Sequence, residues 1–99
     1  MAKYFITKKA VEDLSSIWDY TFETWSEKQA DEYYSSLIRA FESIAMRPCY
    51  LDREYSEIQS GLFRRFCLKH MIFYRLLEDG SVEIIRILHQ KMDIESQLK

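Results

Sequence analysis

The chain has 99 residues, of which 47% are hydrophobic and 15% aromatic. This length and composition predict one globular domain over residues 1–99, with enough apolar side chains for a core, and exclude a disordered adaptor. The net charge of −2 argues against a general nucleic-acid-binding protein, although acidic residues dominate positions 1–60 and positions 61–99 carry a slight basic excess.

The sequence lacks the features of membrane insertion, export and cofactor binding. No apolar run reaches the roughly 18–20 residues of a membrane span, and no signal-peptide core follows Met1, so we expect a cytoplasmic protein without a membrane partner. In that compartment Cys49 and Cys67 are expected to be reduced, half-buried thiols. No zinc-ligand spacing, glycine-rich phosphate loop or nucleophile motif occurs, so neither a metal nor a cofactor is predicted.

The N-terminal half predicts a strand followed by two helices. Residues 3–6 are aromatic and β-branched, which is typical of a strand. Thr7 is a candidate N-cap for a first helix, whose apolar residues recur at steps of three and four. Ser26 and Gln29 form a capping-box pattern that starts a second helix, and Pro48 ends it. We therefore expect two antiparallel helices joined by a tight corner.

The C-terminal half predicts a three-stranded meander. Residues 47–60 have no clear period and are expected to form an irregular connection, whereas residues 62–68, 71–77 and 82–88 are predicted strands. Residues 92–98 have helical spacing. The predicted fold class is α+β in the order β-α-α-β-β-β: a twisted antiparallel sheet with an N-terminal helical hairpin packed on one face and a short C-terminal helix.

Two arginines of the last predicted hairpin are candidates for a basic contact surface. Taking the Asp79–Gly80 turn signal as a two-residue loop pairs Leu77 with Val82. Arg86 then lies diagonal to Arg75 on the same face of the sheet, within reach of its long side chain. Because same-face guanidinium groups bind carboxylates and phosphates, we predict that this pair faces a partner.

His89 ends the last predicted strand, where the chain passes to the terminal helix. An unperturbed histidine pKa near ~6.5 suits proton transfer at neutral pH, so His89 is a candidate general acid or base. The alternative is structural: the imidazole donates a hydrogen bond to a backbone carbonyl or to Asp93 and locks the turn between strand and helix. The structural role is the commoner one for such a histidine, and the sequence favours it.

Five segments spread along the chain carry a family resemblance. They are Tyr4–Thr7, Ala10–Leu14, Gly61–Arg65, Ile72–Arg75 and Ile85–His89, the last followed by Met92 and Asp93. Over essentially its whole length the chain resembles the RelE/ParE superfamily of type II toxin–antitoxin toxins, and its last segment resembles the ParE branch. The resemblance implies a β-α-α-β-β-β toxin that a cognate ParD-like antitoxin neutralises in a hetero-oligomer. ParE-like members are understood to poison DNA gyrase, with growth arrest and plasmid stabilisation as consequences.

Chemistry distinguishes the two branches of that superfamily. RelE-like members, which cut mRNA on the ribosome, are strongly basic and use a tyrosine or histidine near the C-terminus. Here the pI is near 5.7, and the tail at 94–99 has neither Tyr nor Arg. We therefore predict a gyrase inhibitor that binds proteins rather than an enzyme. The first alternative is a ribonuclease using His89, Lys91 and Arg86, and the second is a non-toxic module that only binds an antitoxin.

The contact residues are predicted from their positions off the apolar stripes and from the family resemblance. Most aromatic residues fall on apolar stripes, but four tyrosines do not and are candidates for contact surfaces: Tyr4, Tyr20, Tyr50 and Tyr55. The antitoxin is expected to wrap the helical hairpin and a sheet edge with a segment that folds on binding. No sequence-specific contact with nucleic acid is expected. The predicted partner-binding residues are Tyr20, Trp25, Arg64, Arg75, Arg86, His89, Met92 and Asp93.

Overall fold

A computed structural model describes residues 3–98, apart from the side chain of Glu95. The elements in chain order are β1 (Tyr4–Ile6), α1 (Lys8–Thr24), α2 (Glu27–Met46), β2 (Arg53–Glu54), β3 (Leu62–Cys67), β4 (His70–Leu76), β5 (Val82–His89) and α3 (Ile94–Leu98). The predicted α+β fold class is confirmed. The short strand β2 is an addition, and it lies inside the segment that was expected to be irregular.

Both long helices begin at the predicted caps. The hydroxyl oxygen of Thr7 accepts a hydrogen bond from the backbone N–H of Ala10 at 3.1 Å, and that of Ser26 accepts one from Gln29 at 3.1 Å. Each bond satisfies a donor that the first turn of a helix leaves unpaired. The second helix ends two residues before Pro48, since the residue preceding a proline is disfavoured in helical conformation.

The five strands form one sheet in the order β1-β5-β4-β3-β2. Neighbouring strands are antiparallel except for β1 and β5, which are parallel, so the sheet is mixed where an antiparallel one was expected. The parallel direction brings Thr7, just after β1, beside residues 84 and 85 in the middle of β5. There its backbone N–H donates to the carbonyl of Ile84 at 3.0 Å and its hydroxyl to that of Ile85 at 2.9 Å. The start of α1 is therefore joined to the edge of β5.

The turn between β4 and β5 is longer than predicted. Leu77 donates its N–H to the carbonyl of Ser81 at 2.8 Å, and Leu76 rather than Leu77 pairs with Val82. The carboxylate of Asp79 accepts hydrogen bonds from both the N–H and the hydroxyl of Ser81. Such a side-chain turn needs more than two loop residues, and the predicted pairing of Leu77 with Val82 is wrong for this reason.

A register shift in the β4–β5 ladder compensates for the longer turn. Phe73 pairs with Arg86, whereas the next residue of β4 pairs two positions away, so Ile85 is an extra residue in β5. Arg75 consequently lies opposite Glu83 instead of the isoleucine predicted there. Because Arg75 is two residues from Phe73, it still lies diagonal to Arg86. The two errors in the predicted register cancel for this pair.

Apolar side chains pack on both faces of the sheet. The face beneath α1 and α2 carries the larger cluster, which includes Leu37, Phe41, Ile44, Ile72, Tyr74, Val82, Ile84 and Ile87. The opposite face, which we call the open face, carries a second cluster that includes Tyr55, Leu62, Met71, Phe73 and Leu88, with Ile94 and Leu98 of α3 packed against it. The C-terminal helix therefore docks back on the body of the protein. Tyr55 is buried here, so its prediction as a contact residue is wrong.

Two further expectations concern the thiols and the membrane. Cys49 and Cys67 are free and half-buried, as predicted. Among the residues that the structure describes, no helix is both long enough and apolar enough to cross a membrane.

Replacing Leu37 by alanine should lower the free energy of unfolding by about 2–5 kcal/mol, because it leaves a cavity between α2 and the sheet. Urea denaturation of the wild type and the variant measures the difference. Val11→Ala is the control: its side chain is 48% exposed on α1, and the change should stay within about 0.5 kcal/mol. Equal losses for the two variants would contradict the position of Leu37 in the core.

Candidate functional site

Four of the predicted partner-binding residues lie around one open groove. Tyr20 and Trp25 come from the corner of the helical hairpin, and His89 and Met92 come from the end of β5 and the turn after it. The β3–β4 turn, at residues 68–70, forms a further wall. The groove has a volume of about 660 Å³, and we call it the hairpin groove. Its size is sufficient to take several side chains of a partner.

The rim of the hairpin groove is apolar and exposed. Tyr20 is 68% exposed, Trp25 67%, Leu68 62% and Met92 47%. Large apolar side chains clustered in this way mark interaction surfaces, because water contact with them is unfavourable. Leu68 also has a φ of +57°, a left-handed conformation that costs roughly 1–2 kcal/mol in a residue with a side chain. The turn thus holds a leucine on the rim at a cost in stability.

Tyr33 and His70 connect the second helix to the β3–β4 turn at the base of the groove. The Tyr33 oxygen accepts a hydrogen bond from the backbone N–H of Lys69 at 3.1 Å and lies 2.6 Å from Nδ1 of His70. The Tyr33 hydroxyl and Nδ1 of His70 therefore share a hydrogen bond, whose direction depends on the His70 tautomer. Burial, followed by the nearby His89, lowers the pKa of His70 to about 4. His70 is consequently neutral at physiological pH and acts as a link between α2 and the sheet.

His89 is fixed by the turn that follows it. Its Nδ1 accepts a hydrogen bond from the backbone N–H of Lys91 at 3.1 Å, and its carbonyl accepts one from Met92 at 2.9 Å. Its ring lies edge-on to that of His70, with 5.2 Å between centroids. The imidazole thus holds the turn between β5 and α3 by a hydrogen bond of the opposite direction to the predicted one. It accepts from a backbone N–H where it was expected to donate. The same bond assigns the His89 proton to Nε2.

Arg86 lies away from the groove surface, between α1 and α3. Its guanidinium binds both carboxylate oxygens of Asp13, at 2.8 and 3.1 Å, and donates to the carbonyl of Gln97 at 3.2 Å. Asp13 also accepts the backbone N–H of Ile87 at 2.9 Å. Both partners of the ion pair are largely buried, so it holds the helical hairpin against β5. The Asp13 carboxylate further raises the pKa of the Arg86 guanidinium.

Arg64 and Arg75 lie on the open face and already have partners within the chain. Arg64 donates to the hydroxyl of Tyr55, and its guanidinium lies 4.2 Å from the centroid of the Phe66 ring. Arg75 forms an ion pair with Glu83 at 2.7 Å. The structure therefore separates these two residues from the groove that gathers Tyr20, Trp25, His89 and Met92.

Asp93 lies at the start of α3, next to the groove. Asp93 follows the groove residue Met92 and accepts a hydrogen bond from the hydroxyl of Ser96 at 2.8 Å in the first turn of α3. Within residues 3–98 no group of three His, Cys, Asp or Glu side chains is arranged to hold a metal ion.

Comparison with known proteins assigns the family. A family model described as the ParE toxin of the type II toxin–antitoxin system parDE matches residues 4–94. The chain belongs to the ParE toxin family. Toxin ParE1 of Mycobacterium tuberculosis is 32% identical over 97 residues, which cover 98% of each chain. Toxin ParE1 of Caulobacter vibrioides is 34% identical over 98 residues, which cover 99% of each chain. The predicted membership of the RelE/ParE superfamily is thereby confirmed.

Two solved toxin–antitoxin structures share the fold of this ParE-family chain. A chain of the chromosomal ParDE system from P. aeruginosa superposes with a TM-score of 0.76 at 18% identity, covering 90% of this chain and 96% of its own. A chain of the RelBE2 toxin–antitoxin complex from Mycobacterium tuberculosis gives 0.69 at 16% identity, covering 90% and 98%. At these identities the likeness concerns the fold and does not distinguish ParE-like from RelE-like activity.

Tyr33, Leu68 and His70 are among the groove residues of this ParE toxin that were not predicted as site residues. Tyr33 lies on the apolar stripe of α2 and packs against the core, while Leu68 and His70 flank the β3–β4 turn. One signal was available for Tyr33, because a tyrosine on an apolar stripe needs a hydrogen-bond partner for its hydroxyl. No local signal identified His70 as that partner, since the two residues are far apart in the chain and meet only through the packing of α2 on the sheet.

The low pKa of His70 should make stability depend on pH. Below pH ~6.5 the unfolded chain gains a proton at His70 that the folded chain does not bind until about pH 4. The free energy of unfolding should therefore fall as the pH drops through this window, with this contribution constant above it. Urea denaturation from pH 7 to 4.5 should show a steeper fall for the wild type than for His70→Gln, whose side chain does not titrate. Parallel curves would contradict the assignment.

Proposed function

We propose that this protein is a cytoplasmic toxin that inhibits DNA gyrase by binding to it, and that a cognate ParD-like antitoxin neutralises it by occupying the hairpin groove. The observation that carries the proposal is the exposed rim of Tyr20, Trp25, Leu68 and Met92 around that groove. A rim of large apolar side chains is a protein-binding feature, because its energetic gain comes from excluding water. Membership of the ParE family supports the same conclusion.

The chemistry of the groove favours an amphipathic segment of the antitoxin. Aromatic anchors such as Tyr20 and Trp25 are the residue types that contribute most to protein interfaces. The groove also carries the cation Lys69 near the β3–β4 turn and the carboxylate Glu32 on α2. A helix whose apolar face contacts the aromatic anchors, and whose acidic residue lies next to Lys69 and away from Glu32, fits the groove. The ParDE and RelBE2 structures, which are named as toxin–antitoxin systems, support an antitoxin as the occupant.

The arginines of the sheet favour inhibition by binding over RNA cleavage. A ribonuclease needs cations that converge on the phosphate and stabilise the charge that develops there. Of the five arginines on the strands, Arg64 has no ion pair with a carboxylate of the described residues. The other four form ion pairs with carboxylates at 2.9 Å or less: Arg53, Arg65, Arg75 and Arg86. Their charge is therefore balanced within the protein. Gyrase inhibition needs no such cluster, since a bound protein acts by holding its target in one state.

One observation supports the RelE-like alternative. His89 uses Nδ1 in the turn, so Nε2 keeps its proton without a protein acceptor among the described residues, and Lys69 lies along the same groove. An imidazole N–H beside an ammonium group is a possible proton donor and anion site.

The second alternative, a non-toxic module that only binds an antitoxin, is distinguished by growth, because its expression would leave growth unchanged.

The purified protein should inhibit the supercoiling of relaxed plasmid by DNA gyrase, and His89→Ala should inhibit equally well. The physical reason is that binding through the exposed surface does not require proton transfer at His89. Plasmid topology on agarose gels measures the supercoiling, and a parallel translation assay with ribosomes measures mRNA cleavage. Normal supercoiling at stoichiometric excess would eliminate the proposal. Cleavage of mRNA that His89→Ala abolishes would establish the ribonuclease instead.

Trp25→Ala should weaken binding of the cognate antitoxin by about 2 kcal/mol or more, as expected for an aromatic anchor at the edge of a groove. Isothermal titration calorimetry with the antitoxin, taken from the gene beside this one, measures the affinity. Tyr34→Ala is the matched control, because Tyr34 is a partly exposed aromatic residue of α2 outside the groove. If both variants bind like the wild type, the antitoxin does not occupy the hairpin groove.

A further inference from the structure

A second apolar surface lies at the other end of α2. We propose that the segment 46–51, which we call the α2–β2 loop, is the surface with which this toxin contacts its target topoisomerase, at an acidic and apolar patch of that enzyme. The inference rests on the proposed gyrase inhibition and adds the contact surface to it. None of the residues in this segment lines the hairpin groove.

The α2–β2 loop exposes three large apolar side chains. Leu51 is 91% exposed, Met46 74% and Tyr50 44%. Leu51 is the most exposed of the large apolar residues in the described chain. It is immediately followed by Asp52, whose side chain is only 6% exposed. The chain thus turns a leucine outward and the neighbouring carboxylate inward, which is the reverse of what solvation alone favours.

The backbone of the loop is held in an unfavourable conformation. Cys49 has a φ of +66° and Leu51 a φ of +60°, and neither is a glycine. Each left-handed residue with a side chain costs roughly 1–2 kcal/mol. Such conformations persist where surrounding contacts impose them, and they concentrate at functional sites. A glycine at position 51 would avoid this cost. The protein therefore carries an exposed leucine there at a cost in stability.

A buried polar network imposes that conformation. Arg65 binds Asp52 at 2.9 Å and donates to the carbonyls of Arg47 and Tyr50 at 3.4 and 3.5 Å. Tyr74 lies on the central strand of the sheet. Its hydroxyl donates a hydrogen bond to Asp52 and accepts one from the backbone N–H of Cys49 at 2.8 Å. Burial and the Asp52 carboxylate raise the pKa of Tyr74, so the hydroxyl keeps its proton. The loop is therefore rigid, which reduces the entropy lost when it binds.

The charge around the loop defines the complementary surface. Arg47 lies over the Tyr50 ring at 3.9 Å and forms no ion pair with a carboxylate of the described residues. The nearby Asp52 and Glu54 are engaged, with Arg65 and with the N–H of Gly61 respectively. The loop thus presents one free cation beside three apolar side chains. A partner that fits offers a carboxylate next to an apolar recess.

The position of the loop makes it independent of the groove. The last groove residue on α2 is Ser36, and Met46 lies roughly 15 Å further along the helix axis at 1.5 Å per residue. The loop and the hairpin groove are therefore separate surfaces of the toxin. An antitoxin in the groove neutralises the toxin by obstructing the approach of the much larger target enzyme, while the loop itself stays uncovered.

The test compares two substitutions at one position. Leu51→Asp places a like charge against the acidic patch, while Leu51→Gly removes the side chain and relieves the left-handed strain. Both variants should raise the toxin concentration for half-inhibition of gyrase supercoiling at least ten-fold. Both should keep the wild-type antitoxin affinity by calorimetry, and Leu51→Gly should be no less stable to urea. Tyr34→Ala is the control, because Tyr34 is exposed on α2 outside both the hairpin groove and the α2–β2 loop, and it should change neither the inhibition nor the antitoxin affinity.

Each other outcome overturns the inference in a distinguishable way. If the wild type inhibits gyrase and both Leu51 variants inhibit equally well, the α2–β2 loop is not the contact surface although the proposed function stands. If the variants lose antitoxin binding, the loop belongs to the antitoxin interface. If light scattering shows a wild-type dimer that Leu51→Gly dissociates, the occupant is a second copy of this chain. If the wild type does not inhibit gyrase, the proposed function and this inference fall together.

Discussion

The edge of β5 that faces β1 is the constraint on which the rest of the structure depends, because β1 is too short to pair with all of it. This strand is buried, so each backbone N–H and C=O along its edge needs a partner. β1 pairs in parallel with residues 82–84 of this strand, and the side chains of Thr7 and Asp13 bind the backbone of residues 85 and 87. The Thr7 hydroxyl donates to the carbonyl of Ile85, the extra residue of the β4–β5 ladder, and the Asp13 carboxylate accepts the N–H of Ile87. The same aspartate pairs with Arg86, and so one carboxylate joins helix and sheet.

That joint determines where the hairpin groove lies. With α1 anchored at its N-terminal end, the corner of the hairpin at Trp25 lies over the far ends of β3, β4 and β5. The groove between them is completed by the link from Tyr33 to His70. Arg86 would be available for a catalytic role in a different setting, but here it holds the architecture together. Arg65, Arg75 and Arg86 of the sheet form ion pairs within the protein. Aromatic and aliphatic side chains remain exposed around the groove, which is typical of a binding surface.

The elements of the fold could be predicted because their signals are local. Thr7, Ser26 and Pro48 act on the backbone within a few residues, and the alternation of apolar side chains requires only neighbouring positions. Register was less accessible. Strict alternation along β5 places Leu88 on the same face as Ile84, yet the extra residue between them puts these two side chains in different clusters. Nothing in the local sequence marks Ile85 as the extra residue, since it is defined only by the pairing of β5 with β4.

The sequence by itself determined the order of the main elements, the two helix caps, the exposed position of Tyr20 off the apolar stripe of α1, and the family. These depend on side-chain chemistry at short range and on similarity along the whole chain. The tertiary structure alone decided that β1 runs parallel to β5, that His70 is neutral beside His89, and that the Arg65 network turns Leu51 outward. Each of these arises from contacts between residues distant in the chain, whose geometry and desolvation exist only once the layers have packed together.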